Sequence, residues 1–161
     1  MRKINIIIPL LMALIITGCI NKKEEPKTQE KIAFLNKAIL TSYAKADKEY
    51  VLILGNYDDT RTRDLIELSK KIPSKLPISY FDTSVYTAKL EDKDAKIRLA
   101  NLKDYQAFLH EYDIKSLPTV IQVKKGKAIR QLDKLAPEIT DTKKQKQLIK
   151  DKYQEWLEHE K

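Results

Sequence analysis

YDIKSLPTVIQVKKGKAI, Tyr112 to Ile129, is the stretch that decides the fold. Thr119 to Val123 is apolar and rich in β-branched residues, which predicts a strand. Lys125-Gly126 predicts a tight turn, and Ala128 to Leu132 an antiparallel partner strand. Pro118 stands directly before the strand, between Leu117 and Thr119. Tyr105, Phe108, Leu109 and Tyr112 precede it at helical spacing.

Outward from this hairpin, Tyr50-Val51-Leu52-Ile53-Leu54 is a short apolar run closed by Gly55. Such a run suits a strand buried on both faces of an α/β sheet. GNYDDTRTRD, Gly55 to Asp64, follows. Leu65, Leu68 and Ile72 then mark a helix that ends before Pro73, with Asp58, Asp59 and Thr60 as N-cap candidates. Ile78 to Asp82 predicts a second strand, so the three elements form a right-handed βαβ unit. Val85 to Asp104 is charged and reads as a loop with one or two helical turns. Ile149, Tyr153, Trp156 and Leu157 give the apolar stripe of a last helix, where Trp156 serves packing. Near the start, Ile32, Leu35, Ile39 and Tyr43 fit helical spacing, which predicts an amphipathic helix over 29–47.

The predicted order from Tyr50 onward, β-α-β-α-β-β-α, resembles the thioredoxin superfamily. Tyr112 to Ile129 resembles the family segment in which a cis-proline precedes a strand and a lysine-glycine hairpin. Val51 to Asn56 resembles the strand before the family's active-site loop, and Tyr80 to Ser84 its second strand. The resemblance implies an α/β, three-layer fold with a central mixed sheet flanked by helices, and a cis bond at Pro118. Among superfamily members, the chain is similar to bacteriocin transport accessory proteins and related Gram-positive lipoproteins.

That family's catalysis uses a Cys-x-x-Cys pair at a helix start, where the helix dipole stabilises a thiolate. By spacing, the two positions fall at Asp58 and Arg61, or at Asp59 and Thr62. Neither register has a sulfur. The one cysteine in the sequence is Cys19, so intramolecular dithiol chemistry is excluded by counting.

Arg2 and Lys3 precede the apolar run Ile4 to Thr17, which is followed by Gly18 and Cys19. This reads as a secretory signal, and Ile16-Thr17-Gly18-Cys19 resembles a bacterial lipobox. The resemblance implies cleavage before Cys19 and diacylglyceryl attachment to its sulfur. Two acyl chains hold a protein stably on a membrane. The expected organisation is a signal peptide over 1–18, a polar tether over 19–30 and a thioredoxin-like domain over 31–161. The expected location is extracytoplasmic, lipid-anchored to the bacterial cell membrane.

Lys and Arg number 31 against 23 Asp and Glu, a formal charge of +8. Without residues 1–18, 29 basic residues face the same 23 acidic ones, leaving +6. The charges alternate in sign, which reads as a solvated surface. No aromatic-basic motif points to nucleic acid. His110 and His159 are distant and give no metal spacing. No glycine-rich phosphate loop suggests a nucleotide, so neither metal nor cofactor is expected.

The residues expected to form a peptide- or protein-binding edge are Asp58, Asp59, Arg61 and Thr62, beside Leu117, Pro118 and Thr119. The function expected is an accessory factor in secretion or envelope assembly, not an enzyme. Two alternatives stand beside it: a non-dithiol enzyme using the Asp58, Asp59 and Asp64 carboxylates, or a structural subunit of an envelope complex.

Overall fold

A computed structural model describes residues 32–132, 134–135 and 139–159. The expected signal peptide over 1–18, Cys19 and the expected tether over 19–30 lie outside the described residues.

The elements are β1 (Ala33–Leu35), α1 (Lys37–Lys45), β2 (Glu49–Gly55), α2 (Thr60–Ser69), β3 (Ile78–Asp82), α3 (Ser84–Thr87), α4 (Ala95–Glu111), β4 (Thr119–Lys124), β5 (Lys127–Gln131) and α5 (Thr142–Glu158). A 3₁₀ turn over Ala88–Glu91 joins α3 to the loop before α4. The five strands form one sheet in the order β1-β3-β2-β4-β5. β1 and β2 both run parallel to β3, while β4 runs antiparallel to β2 and β5 antiparallel to β4.

Strand alternation divides the core in two. Val51 and Ile53 of β2 and Tyr80 of β3 face a layer that holds Leu65 and Ile66 of α2 and Ile149 and Tyr153 of α5. Tyr50, Leu52 and Leu54 face the opposite layer with Leu40 of α1, Tyr86 of α3 and Phe108 of α4. Residues 50–54 are at most 1% exposed. Each large side chain so buried contributes roughly 1.5–3 kcal/mol. The strand order with helices on both faces is a thioredoxin-like α/β fold with a mixed five-strand sheet. The Leu117–Pro118 peptide bond is cis, and Lys125 and Gly126 take positive φ in the β4–β5 turn.

Two predicted regions differ. The helix expected over 29–47 is instead β1 followed by a shorter α1. Ile32 and Leu35, three apart, fit helical spacing equally well, but they lie in opposite core layers. Pairing of Ala33 and Leu35 with Ser79 and Phe81 makes the segment a strand. Asn36 then caps α1 by accepting from the Ile39 N–H at 2.9 Å.

The loop expected over Val85 to Asp104 is mostly helical. Asp94 caps α4 by accepting from the Lys96 N–H at 2.7 Å. The following residues, Ala95 to Asn101, include strong helix formers and no Gly or Pro. α4 therefore begins more than three turns before its first buried residue, Phe108, and propensity rather than burial carries that part.

Candidate functional site

The candidate site lies where β2 ends, α2 begins and the Pro118 loop enters β4. Gly55 is its centre. A Cβ there would run into the Thr62 hydroxyl and come within 2.9 Å of Pro118 Cβ. Only a residue without a side chain lets the first turn of α2 and the proline loop close on one point.

Asp59 is the N-cap of α2. Its carboxylate accepts from the Arg61 backbone N–H at 2.8 Å and from the Arg61 guanidinium at 2.7 Å. The cap and the ion pair use the same acid, satisfying a donor the helix leaves open. Burial pushes the Asp59 pKa up. The Arg61 side chain and backbone N–H, the Arg61 charge and the Thr62 backbone N–H outweigh it and hold the carboxyl below its usual range.

Thr62 is fully buried, and its hydroxyl has no hydrogen-bond partner among the described residues. Of the two registers open in the sequence, Asp59 with Thr62 includes the side chain that meets Gly55 beside Pro118. Asp58 is exposed, and its N–H donates to the Asn56 side chain at 2.8 Å. Arg63 ties the same loop by donating to the Tyr57 and Asp58 carbonyls at 3.0 and 2.9 Å.

Other candidate residues have other employment. Thr119 is fully buried and donates its hydroxyl to the Leu132 carbonyl at 3.2 Å, so it fixes the hairpin's far strand. Asp64 turns away from the loop to pair with Lys146 of α5 at 3.1 Å. The three carboxylates named for an acid/base reading are therefore dispersed. Asp58 is in a turn, Asp59 is capped and paired, and Asp64 bridges two helices. Leu117 is half-buried. Ser116 and Leu117 make no backbone hydrogen bond to another described residue. His110 is exposed, and Trp156 is buried beneath the Arg130 guanidinium, 4.3 Å from its ring centroid.

Sequence reasoning missed the aromatic side of this site. Tyr80 is buried and donates its hydroxyl to the Gly55 carbonyl at 3.1 Å. Burial, then the Asp82 charge, pushes its pKa upward. Exposed Tyr57 and Phe34 flank its ring at 6.2 and 5.2 Å. Tyr57 stands inside Gly55 to Asp64, and an aromatic among eight polar residues was the signal available there. Phe34 carried none, because its position depends on β1.

Among the described residues no acid, histidine and cysteine cluster is arranged to hold a metal ion. No described helix is long and apolar enough to cross a membrane.

No protein-family model matches the sequence, and a search of curated proteins finds no match. Solved structures give several likenesses. A mutant thioredoxin from Halobacterium salinarum is 10% identical, with TM-score 0.42 over 75% of this chain and 89% of that one. Spinach chloroplast thioredoxin f is 13% identical, with TM-score 0.41 over 78% and 96%. A poplar thioredoxin h is 17% identical, with TM-score 0.38 over 64% and 83%. The thioredoxin-like assignment stands on the strand order and the two helical layers.

Proposed function

We propose that this chain is a membrane-anchored, extracytoplasmic binding protein that holds an extended peptide segment of a partner beside the Pro118 loop. It acts as an accessory factor in secretion or envelope assembly and performs no dithiol exchange. The carrying observation is the junction of Gly55, Thr62 and Pro118. This junction resembles a thioredoxin site, and on that resemblance Asp59, the N-cap of α2, and Thr62 take the two key positions. Neither side chain exchanges disulfides.

Binding is supported by the backbone groups of Ser116 and Leu117, which are open to main-chain pairing with an extended segment. The flanking surface suits such a ligand. Tyr57 and Phe34 offer exposed aromatic area, and Asp58 offers a carboxylate. Anchoring through acylated Cys19 follows from the lipobox resemblance. The Asp59–Arg61 pair disfavours the acid/base alternative, because a carboxyl held low is a poor proton donor near neutral pH.

The test is a crosslinking pull-down of the full chain from its own membranes, with Pro118→Ala and Tyr57→Ala in parallel. Tyr57 is exposed, so its truncation leaves the fold intact. Specific partners lost in both variants support the reading. Partners retained in both place the interface elsewhere and overturn it.

A further inference from the structure

A cavity lies far from Pro118. It opens between α1, α4 and the β4–β5 turn, at the other end of β4 and on the opposite face of the sheet. Its volume is about 550 Å³, within the ~300–1,000 Å³ typical of small-molecule sites. Gly126 shapes one wall. A Cβ there would collide with the Ala44 carbonyl oxygen, so the turn lies directly on α1.

The floor is apolar and mostly aromatic: Leu40, Tyr86, Phe108 and Tyr112. The Tyr86 and Phe108 rings stack at 5.1 Å, with 26° between their planes. The rim is mainly basic. Lys37, Lys45, Lys125 and Lys127 stand around the opening, with Glu111 the one acid among the lining residues. Lys37 pairs with Asp104 at 3.3 Å and Lys125 with Asp47 at 3.7 Å. Both pairs are highly exposed, and such pairs hold their partners weakly. Lys45 and Lys127 have no ion-pair partner among the described residues. A cleft lined by one sign of charge over low-dielectric walls concentrates counter-ions.

We propose that this cavity binds a small aromatic anion, a planar apolar ring system carrying a carboxylate or phosphate. The rings of Tyr86, Phe108 and Tyr112 receive the apolar body, and the lysine rim receives the acid. Lys37, whose ammonium lies 5.2 Å from the Tyr86 ring centroid, stands where rim and floor meet. The aromatic floor specifies a ring, and Lys45 and Lys127, without an ion-pair partner among the described residues, specify the charge.

The probe is 2-naphthoate, titrated against the full chain by ligand-observed NMR, with uncharged 2-naphthamide and inorganic phosphate as comparisons. The expected result is saturable 2-naphthoate binding about fivefold tighter than 2-naphthamide, the scale of one partly exposed charge interaction. Inorganic phosphate, lacking the ring, binds more weakly than either. Affinity falls as salt rises. The double variant Lys45→Glu, Lys127→Glu changes exposed positions only and weakens 2-naphthoate at least fivefold while leaving 2-naphthamide unchanged. Thr41→Trp, on the exposed side of α1, fills the mouth and abolishes binding of both. Equal affinity for the two naphthalene probes, unchanged affinity in the lysine variant, or no saturable binding overturns the proposal. If Thr41→Trp does not fold, the lysine variant decides alone.

Discussion

Thr62 and Pro118 close on the α-carbon of Gly55 from two sides, and the space between them admits no methyl group. Gly55→Ala is therefore expected to destabilise the protein by about 1–3 kcal/mol, the usual cost of overpacking a buried position. Thr62→Ala in the same chain recovers part of that loss, because it removes the hydroxyl and methyl that the new Cβ meets. Denaturant unfolding of the two single variants and the double variant checks this as a double-mutant cycle. Strict additivity would show that the two residues are not in contact.

Asp59 stabilises α2 through its cap and through Arg61. Asp59→Ala is expected to cost about 1–2 kcal/mol, measured by chemical denaturation at pH 7. The pH dependence has a definite sign. The folded-state pKa of Asp59 lies below its unfolded value, so its contribution is present above pH ~4 and is lost as pH falls through the folded value. Asp59→Asn should therefore be less stable than the parent at pH 7, with the gap narrowing between pH ~4 and lower values. A gap that does not change with pH would remove the charge from the explanation.

Tyr50 is 1% exposed, and its hydroxyl has no hydrogen-bond partner among the described residues. An unpaired buried hydroxyl carries a desolvation cost. Tyr50→Phe is expected to leave stability unchanged or raise it by up to ~1 kcal/mol in thermal and denaturant unfolding. Burial, then the Tyr43 and Glu111 charges, pushes the phenol up to about 12. A folded pKa above the unfolded value contributes stability below pH ~10 that disappears as pH rises toward 12. The alkaline loss should thus be smaller in Tyr50→Phe.

Asp64 and Lys146 bridge α2 and α5, with side-chain exposures of 22% and 50%. Lys146→Ala should cost less than ~1 kcal/mol, since such pairs contribute little in water. Ile149→Ala, one turn further along α5 and fully buried, should cost about 2–5 kcal/mol. Unfolding midpoints of the two variants test the ordering, and a reversal would mean that charge rather than burial holds α5 in place.

Residues 50–54, Thr119 to Val123, Lys125-Gly126 and the stripe Ile149, Tyr153, Trp156 and Leu157 declare their structure locally. Each is a run or a period long enough to bury one face or two, or a turn whose glycine permits positive φ. The lone Cys19 also determined, by counting, that no cysteine pair is present. β1 was beyond reach because three residues form a strand only when β3 is alongside, and their apolar spacing suits a helix as well. The first half of α4 was hidden for the opposite reason: it is exposed, so it lacks an apolar stripe, and Asp94 was its main local mark. Tertiary structure alone decided that Thr62 and Pro118 meet at Gly55, that Asp64 leaves the site for α5, and that Tyr57 gathers with Phe34 on Tyr80. It also created the lysine-rimmed cavity, from segments more than eighty residues apart. Local sequence sets which elements form, because backbone preference and periodic burial act within a few residues. The meeting of distant side chains follows from strand order and helix layering, which no short stretch encodes.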